Sequence, residues 1–163
     1  MSTFLFAWNP TKFSWKKPNH LNEDLAEDIA TLKQGKKQLI RRWSCGVIRH
    51  TISVDDRVFL MMLGKDIDGR PLPSKGIIGA GYVNRLPYED KHYVADKPNE
   101  TMWYIDIRFD NLLNPKTQPF LQLRELERIN STHKFWTPQS AKSINSEAEQ
   151  LERNWNKVLH LMS

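Results

Sequence analysis

Short apolar runs along the chain predict the strands of a sheet. Thr3 to Trp8 is apolar and aromatic, and Asn9-Pro10 ends this run because the residue before a proline is disfavoured in regular geometry. Arg57 to Leu63 is a continuous apolar run typical of a central strand, and Gly76 to Val83 predicts another strand. Trp103 to Phe109 alternates apolar and polar residues, which indicates a strand with one buried face.

Other segments carry apolar residues at helical spacing. Leu21 to Gly35 has acidic residues near its start and a lysine and a glycine at its end, which are typical start and stop signals of a helix. Ile144 to Leu159 predicts a C-terminal amphipathic helix, and Leu121 to Ile129 predicts a short one. Lys65 to Lys75, rich in Gly, Pro and Asp, predicts a connecting loop, and Asn84 to Glu100 is a long polar stretch. Four or five strands interleaved with two or three helices favour an α+β domain, with a curled sheet or open barrel against which helices pack.

The length and composition are those of one globular domain. The chain has 163 residues, of which 39% are hydrophobic and 26% charged, so we expect a single domain over residues 1–163. No run approaches the roughly 20 apolar residues that span a bilayer. The N-terminus lacks the basic segment and cleavage site of a signal peptide, and the single Cys45 excludes an internal disulfide. These features predict a cytoplasmic monomer without a membrane partner.

Charge and aromatic content narrow the range of partners. The formal net charge is +5, the pI is near 9.4, and the chain contains six tryptophans. A basic protein favours polyanionic partners, and spare aromatic rings suit the recognition of single-stranded or extruded bases. The composition therefore favours nucleic acid as a partner.

Motifs for enzyme chemistry are missing from the sequence. It has no phosphate-binding glycine loop, no His-Glu-x-x-His and no nucleophile elbow, and its five histidines share no ligand spacing. Asp66 to Gly69 resembles the start of a calcium loop but lacks the later oxygen ligands, and Asp55-Asp56 is better explained as a turn cap. Cys45 has no accompanying histidine motif that would make it a nucleophile. We therefore expect no catalysis, no metal and no cofactor.

Several blocks, in order along almost the whole chain, resemble one known family. The blocks are Phe4–Pro10 with Trp15, Trp43–Gly46, Asp55–Met61 with Gly76–Gly81, Trp103–Phe109, Trp136–Ser140 and Leu151–Trp155. Together they resemble the EVE domains of the PUA-like superfamily, in particular those fused to HNH endonucleases in modification-dependent restriction.

The resemblance implies a fold and a function. The expected fold is a PUA-like twisted β-barrel, related to YTH domains, of about five or six strands flanked by three or four helices. The expected function is non-catalytic binding of a modified base in an aromatic pocket, with 5-methylcytosine or 5-hydroxymethylcytosine in DNA favoured over RNA. YTH relatives read N6-methyladenine.

The chain departs from the family in two ways. It carries no endonuclease, so a cutting role would require a separate effector nuclease. In addition, Ala141-Lys142 stands where a glycine is expected after Gln139-Ser140, which weakens any role carried over to that loop.

A base-binding pocket is expected around two tryptophans. Trp15 lies in a loop without apolar periodicity, and Trp43 lies between basic and small residues, so we assign both rings to a sandwich around the base. The alternative for both is packing in the core. Ser44, Cys45 and Gly46 would supply backbone donors, and Gly46 would permit close approach.

Two polar side chains could contact the edge of the base. Asn9 carries an amide that both donates and accepts, and Asp106, on the polar face of its strand, could accept from an exocyclic amine. The alternative for Asp106 is a solvated or salt-bridged carboxylate. Trp8, Trp103 and Trp155 lie on apolar faces and are assigned to the core.

Basic residues flank both tryptophans of the proposed pocket. They are expected to contact phosphates, and their contribution should fall with salt. The set comprises Lys36, Lys37, Arg41, Arg42 and Arg49 around Trp43, with Lys16 and Lys17 beside Trp15. The alternative is a solvated basic face. A modified-RNA reader, a small-ligand or modified-nucleoside binding regulator, a hydrolase of modified nucleosides and a plain protein-interaction domain also remain open.

Overall fold

The computed structural model describes residues 1–10, 15, 21–64, 66–67, 70–71, 75–91, 100–138 and 140–162. The strands are β1 Thr3–Trp8, β2 Leu39–Ser44, β3 Arg57–Met62, β4 Asp66–Ile67, β5 Arg70–Pro71, β6 Gly76–Lys91, β7 Thr101–Leu112, β8 Leu121–Gln122 and β9 Lys142–Ser143. The α-helices are α1 Leu21–Gln34, α2 Leu123–Leu126 and α3 Ala148–His160. Two 3₁₀ turns cover Gly46–His50 and His133–Trp136.

One mixed sheet of seven strands organises the described chain. Its order is β2-β7-β6-β3-β1-β9, with β8 pairing to β6, while β4 and β5 form a separate two-stranded ribbon. Strands β1 and β3 pair in parallel, whereas the other pairs are antiparallel. The α+β architecture predicted from the sequence is confirmed.

The sheet is strongly curled but is not a closed barrel. The indole Nε1 of Trp43 on β2 donates to the carbonyl oxygen of Ala7 on β1 at 3.0 Å. Four strand spacings separate β2 from β1, which in a flat sheet would be about 19 Å. The curl therefore brings β1 and β2 together through a side chain, as in the curled sheet expected from the sequence pattern, but the two strands do not pair to complete the twisted β-barrel that the resemblance implied. The reason is that β9 occupies the free edge of β1, pairing with Phe4 and Leu5.

Most sequence-predicted elements are confirmed, but the sequence analysis did not predict β2 or the short strands β4 and β5, and two further segments differ from expectation. Strand β6 continues beyond the predicted end at Val83, through a polar stretch to Lys91, because it pairs with β7 over nearly the whole hairpin despite several register shifts. The helix expected over Leu121–Ile129 is only the single turn of α2, since Leu121 and Gln122 pair with β6 instead.

The core occupies both faces of the sheet: every residue of β3 is buried, and the rings of Trp155 on α3 and Phe59 on β3 lie 6.2 Å apart. The inward positions of β1, β3 and β7 are buried, and Trp136 and Trp155 are both fully buried. None of the helices in the described parts of the chain combines the length and apolar character needed to cross a bilayer.

Candidate functional site

Four aromatic rings meet where the curled sheet brings β1, β2 and β7 together. The ring centroids of Trp8 and Trp15 lie 5.1 Å apart, and those of Trp15 and Trp43 lie 5.2 Å apart. Phe109 lies 6.0 Å from Trp15 and 6.2 Å from Trp43. We call Trp8, Trp15, Trp43 and Phe109 the tryptophan cluster. The structure therefore brings together the two tryptophans that the sequence singled out.

The predicted sandwich of Trp15 and Trp43 is not the arrangement found. Their planes meet at 60°, whereas two rings that enclose a base must be parallel and separated by its thickness. Trp15 is only 8% exposed, and its Nε1 donates to Asp28 Oδ2 at 2.6 Å. The angle and the low exposure are those of a ring packed edge-to-face in the core, and the hydrogen bond to Asp28 fixes its position. Trp15 therefore has a structural role in this conformation.

Half-buried Trp103 is a candidate that sequence reasoning placed in the core. Trp43 pairs in register with Ile105, so Trp103 is its diagonal neighbour on the same face of the sheet. The guanidinium of Arg49 lies over the Trp103 ring at 5.4 Å. The position of Trp103 near the start of β7 was the available signal, because an apolar alternation often leaves the core at a strand end.

The backbone N–H of Cys45, one of the predicted donors to a base, already forms a hydrogen bond within the protein. The Cys45 N–H donates to the Trp103 carbonyl oxygen at 3.0 Å, and its side chain is fully buried. Burial raises the pKa of the Cys45 thiol, so this group stays protonated at neutral pH. Gly46 starts the 3₁₀ turn at φ +54°, and a Cβ there would lie 3.7 Å from Ser140 Cβ. The loops that carry Gly46 and Ser140 thus meet, whereas Ser44 pairs within the sheet with Tyr104.

Asp106 lies on the convex face of the sheet, opposite the tryptophan cluster. Its neighbours Ile105 and Ile107 point into the core, and its Oδ1 accepts from the Tyr88 hydroxyl at 2.7 Å. Burial raises the pKa of Tyr88 to about 12, and the hydrogen bond and negative charge of Asp106 act in the same direction. The predicted contact of Asp106 with a base held by the tryptophans is therefore corrected. Asn9 is half-buried directly after β1, next to Trp8.

The predicted phosphate clamp is divided between the two faces of β2. Arg41 points toward the core side and donates to both carboxylate oxygens of Asp28, at 2.9 Å and 2.7 Å. Arg42 lies on the convex face, 4.4 Å from the centroid of the Tyr104 ring and 3.2 Å from an oxygen of Asp90. Alternation along β2 sends Arg42 to the face opposite Trp43, whereas Arg41 shares the face of Trp43 but is held by Asp28.

The remaining basic residues of the clamp differ in their surroundings. Lys36 and Lys37 are exposed between α1 and β2, and Arg49 is half-buried above Trp103. The predicted contacts of Lys16 and Lys17 lie outside the described residues. Within the described parts of the chain, no group of His, Cys, Asp and Glu could hold a metal ion.

The chain was compared with known families, curated proteins and solved structures. No family model matches it, and no curated protein matches it. Among solved structures, it is similar to the crystal structure of protein Atu2648 from Agrobacterium tumefaciens, at 15% sequence identity and a TM-score of 0.48. The match covers 90% of this chain and 87% of that chain. No residue role is carried over from that protein.

Proposed function

We propose that this chain is a non-catalytic, EVE-type PUA-like reader of nucleic acid carrying a modified base. DNA containing 5-methylcytosine or 5-hydroxymethylcytosine is the first candidate ligand. The ordered sequence blocks described above support this proposal, and so does the curled sheet, which is compatible with a PUA-like fold. A net charge of +5 adds the electrostatic attraction that nucleic acid binding requires.

The observation that carries the proposal is the pair of half-buried indoles, Trp43 and Trp103, on the concave face of the sheet. A base must leave the duplex to reach such a surface, at a free-energy cost of a few kcal/mol. Stacking on an aromatic side chain returns about 1–3 kcal/mol per base, and burial of one methyl group about 0.8 kcal/mol. An indole surface therefore offsets most of the cost of extrusion.

Discrimination between modified and plain bases needs polar groups as well as rings, because methyl burial alone gives only a few-fold preference. We assign this role to Asn9, which follows β1 beside the tryptophan cluster, and to the backbone at Gly46. Arg49, Lys36 and Lys37 are the assigned phosphate contacts, since Arg41 and Arg42 are engaged with carboxylates.

A binding titration tests this proposal. Labelled oligonucleotides of one sequence, carrying cytosine, 5-methylcytosine, 5-hydroxymethylcytosine or N6-methyladenine, are titrated as DNA and as RNA. We expect tighter binding to one modified form. Trp103→Ala should abolish that preference, whereas Tyr88→Ala, which removes a half-buried ring from the convex face, should retain it. Thermal unfolding of both variants confirms that they are folded.

Three outcomes would change the conclusion. Preference for modified RNA would keep the reader function and change its substrate. Tight binding of free nucleosides without salt dependence would indicate a small-ligand regulator. Failure to bind any of these ligands would overturn the proposal.

A further inference from the structure

A second concave surface lies between α2 and α3, and none of its lining residues belongs to the site described above. Its volume is about 320 Å³, at the lower end of the range of small-molecule sites. It is lined by Leu121, Glu125, Arg128, Asn154, Lys157, Val158 and Leu161. We call it the α2–α3 groove.

The floor of the groove is apolar. Leu121 and Val158 are part of the buried core, so they are held in place by the sheet and by α3. Leu161, one of the large apolar side chains that the fold leaves on the surface, is 74% exposed at the end of α3. Leu121 and Val158 expose almost no surface, so an apolar ligand body would gain mainly by covering Leu161.

The rim of the groove carries two cations. Arg128 follows α2, and Lys157 lies in the last turn of α3. Within the described parts of the chain, neither side chain forms a salt bridge or hydrogen bond, unlike Arg41, Arg57 and Arg153. Two unpaired cations beside an apolar floor favour an anionic group on a hydrophobic ligand.

Asn154 adds an oriented donor to the same rim. Its Oδ1 accepts from Gln150 Nε2 at 2.9 Å, and Gln150 Oε1 accepts in turn from Arg153 Nη2 at 2.6 Å. These bonds fix the amide so that its NH₂ group remains available to a ligand. Glu125, the acidic member of the lining, can accept a hydrogen bond from an N–H or O–H group of the ligand.

We propose that the α2–α3 groove binds a small amphipathic carboxylate. The carboxylate would lie between Arg128, Lys157 and the Asn154 amide, with its apolar body on Leu121, Val158 and Leu161. A ring or chain that carries one hydrogen-bond donor would also satisfy Glu125. This inference is independent of the proposed reading of modified bases, and its failure would leave that proposal unchanged.

The test is an NMR titration of the ¹⁵N-labelled chain with indole-3-acetate, which combines a carboxylate, an apolar ring and an N–H donor. Indole-3-acetamide lacks the charge, and acetate lacks the apolar body. We expect saturable shifts at Leu121, Val158 and Leu161 with indole-3-acetate, and much weaker ones with the other two compounds.

Matched variants locate the binding site. Arg128→Gln with Lys157→Gln should raise the Kd at least tenfold, whereas Arg124→Gln with Lys134→Gln removes the same charge from outside the groove and should leave the Kd unchanged. Equal shifts with acetate, an equal loss in both double variants, or no shifts at the three groove residues would overturn the inference.

Discussion

At the scale of single residues, two fully buried tryptophans differ in one hydrogen bond. Trp136 Nε1 donates to the Asn130 carbonyl oxygen at 3.0 Å, whereas Trp155 Nε1 is buried and has no partner among the described residues. A buried donor without a partner retains the full desolvation penalty.

This difference predicts unequal effects of the same substitution. Trp155→Phe removes the unpartnered donor, while Trp136→Phe leaves the Asn130 carbonyl without its donor, and both remove a similar volume. We expect Trp136→Phe to lower the free energy of unfolding by about 1–2 kcal/mol more than Trp155→Phe, as measured by urea denaturation. Equal losses of unfolding free energy in the two variants would show that packing, and not the hydrogen bond, determines the effect of the substitution.

The raised pKa of Tyr88 predicts a loss of stability at high pH. Its pKa is about 12 in the folded chain, against 10.0 for an unperturbed tyrosine, so its contribution to stability is complete below pH 10 and is lost as the pH rises towards 12. The free energy of unfolding should therefore fall less steeply over this range in Tyr88→Phe than in the original chain. Identical pH profiles would contradict the contact between Tyr88 and Asp106.

At the scale of elements, Asp28 connects α1 to the sheet. It is 1% exposed and accepts from both Trp15 and Arg41, so one carboxylate holds the helix, a core ring and β2 together. We expect Asp28→Ala to lower the free energy of unfolding by about 2–3 kcal/mol, because two charge-assisted or buried donors lose their acceptor. Glu27→Ala, at the exposed neighbouring position, is the control for helix propensity.

The pairing of β6 with β7 depends on the absence of a side chain at Gly81. A Cβ there would overlap the Arg108 carbonyl oxygen and lie 2.9 Å from Phe109 Cα, both of them backbone atoms of a buried strand. We expect Gly81→Ala to destabilise the fold by about 3 kcal/mol or more in thermal and urea unfolding. A loss below about 1 kcal/mol would mean that the strands separate easily.

The hydrophobic pattern identified most elements that have a buried face, but it missed β2 and the far half of β6. Strand β7 and helix α3 were predictable because alternation or a three-to-four spacing records the buried side. The far half of β6, up to Lys91, carries polar residues on both faces, and its order comes from pairing with β7. Such tertiary pairing leaves no periodic signal in the sequence.

At the scale of the whole molecule, the candidate site was only partly predictable. The sequence identified Trp15 and Trp43 as a candidate pair, and the fold brings them together. Their edge-to-face contact, however, depends on Trp8 and Phe109 from other strands. Likewise, Asp28 engages Arg41 across two elements. Contacts between residues distant in the chain decide which rings and cations remain accessible.

The proposed binding to DNA should depend on salt, because the molecule is positively charged. Lys36→Gln with Lys37→Gln should reduce the slope of log K against log salt by about 2, because each phosphate contact contributes about 0.9. Lys134→Gln with Arg153→Gln removes the same charge elsewhere and should leave the slope unchanged. Equal slopes in the unsubstituted chain and both double variants would show that Lys36 and Lys37 do not contact the DNA.

The tryptophan cluster also has an optical consequence. Three indoles with centroids 5.1 Å and 5.2 Å apart, at fixed and non-parallel angles, couple their electronic transitions. The chain should therefore show an exciton couplet in its far-ultraviolet circular dichroism, superimposed on the backbone signal. A ligand that moves Trp15 away from Trp8 and Trp43 would diminish the couplet without unfolding the sheet, so circular dichroism would detect this movement without an added label.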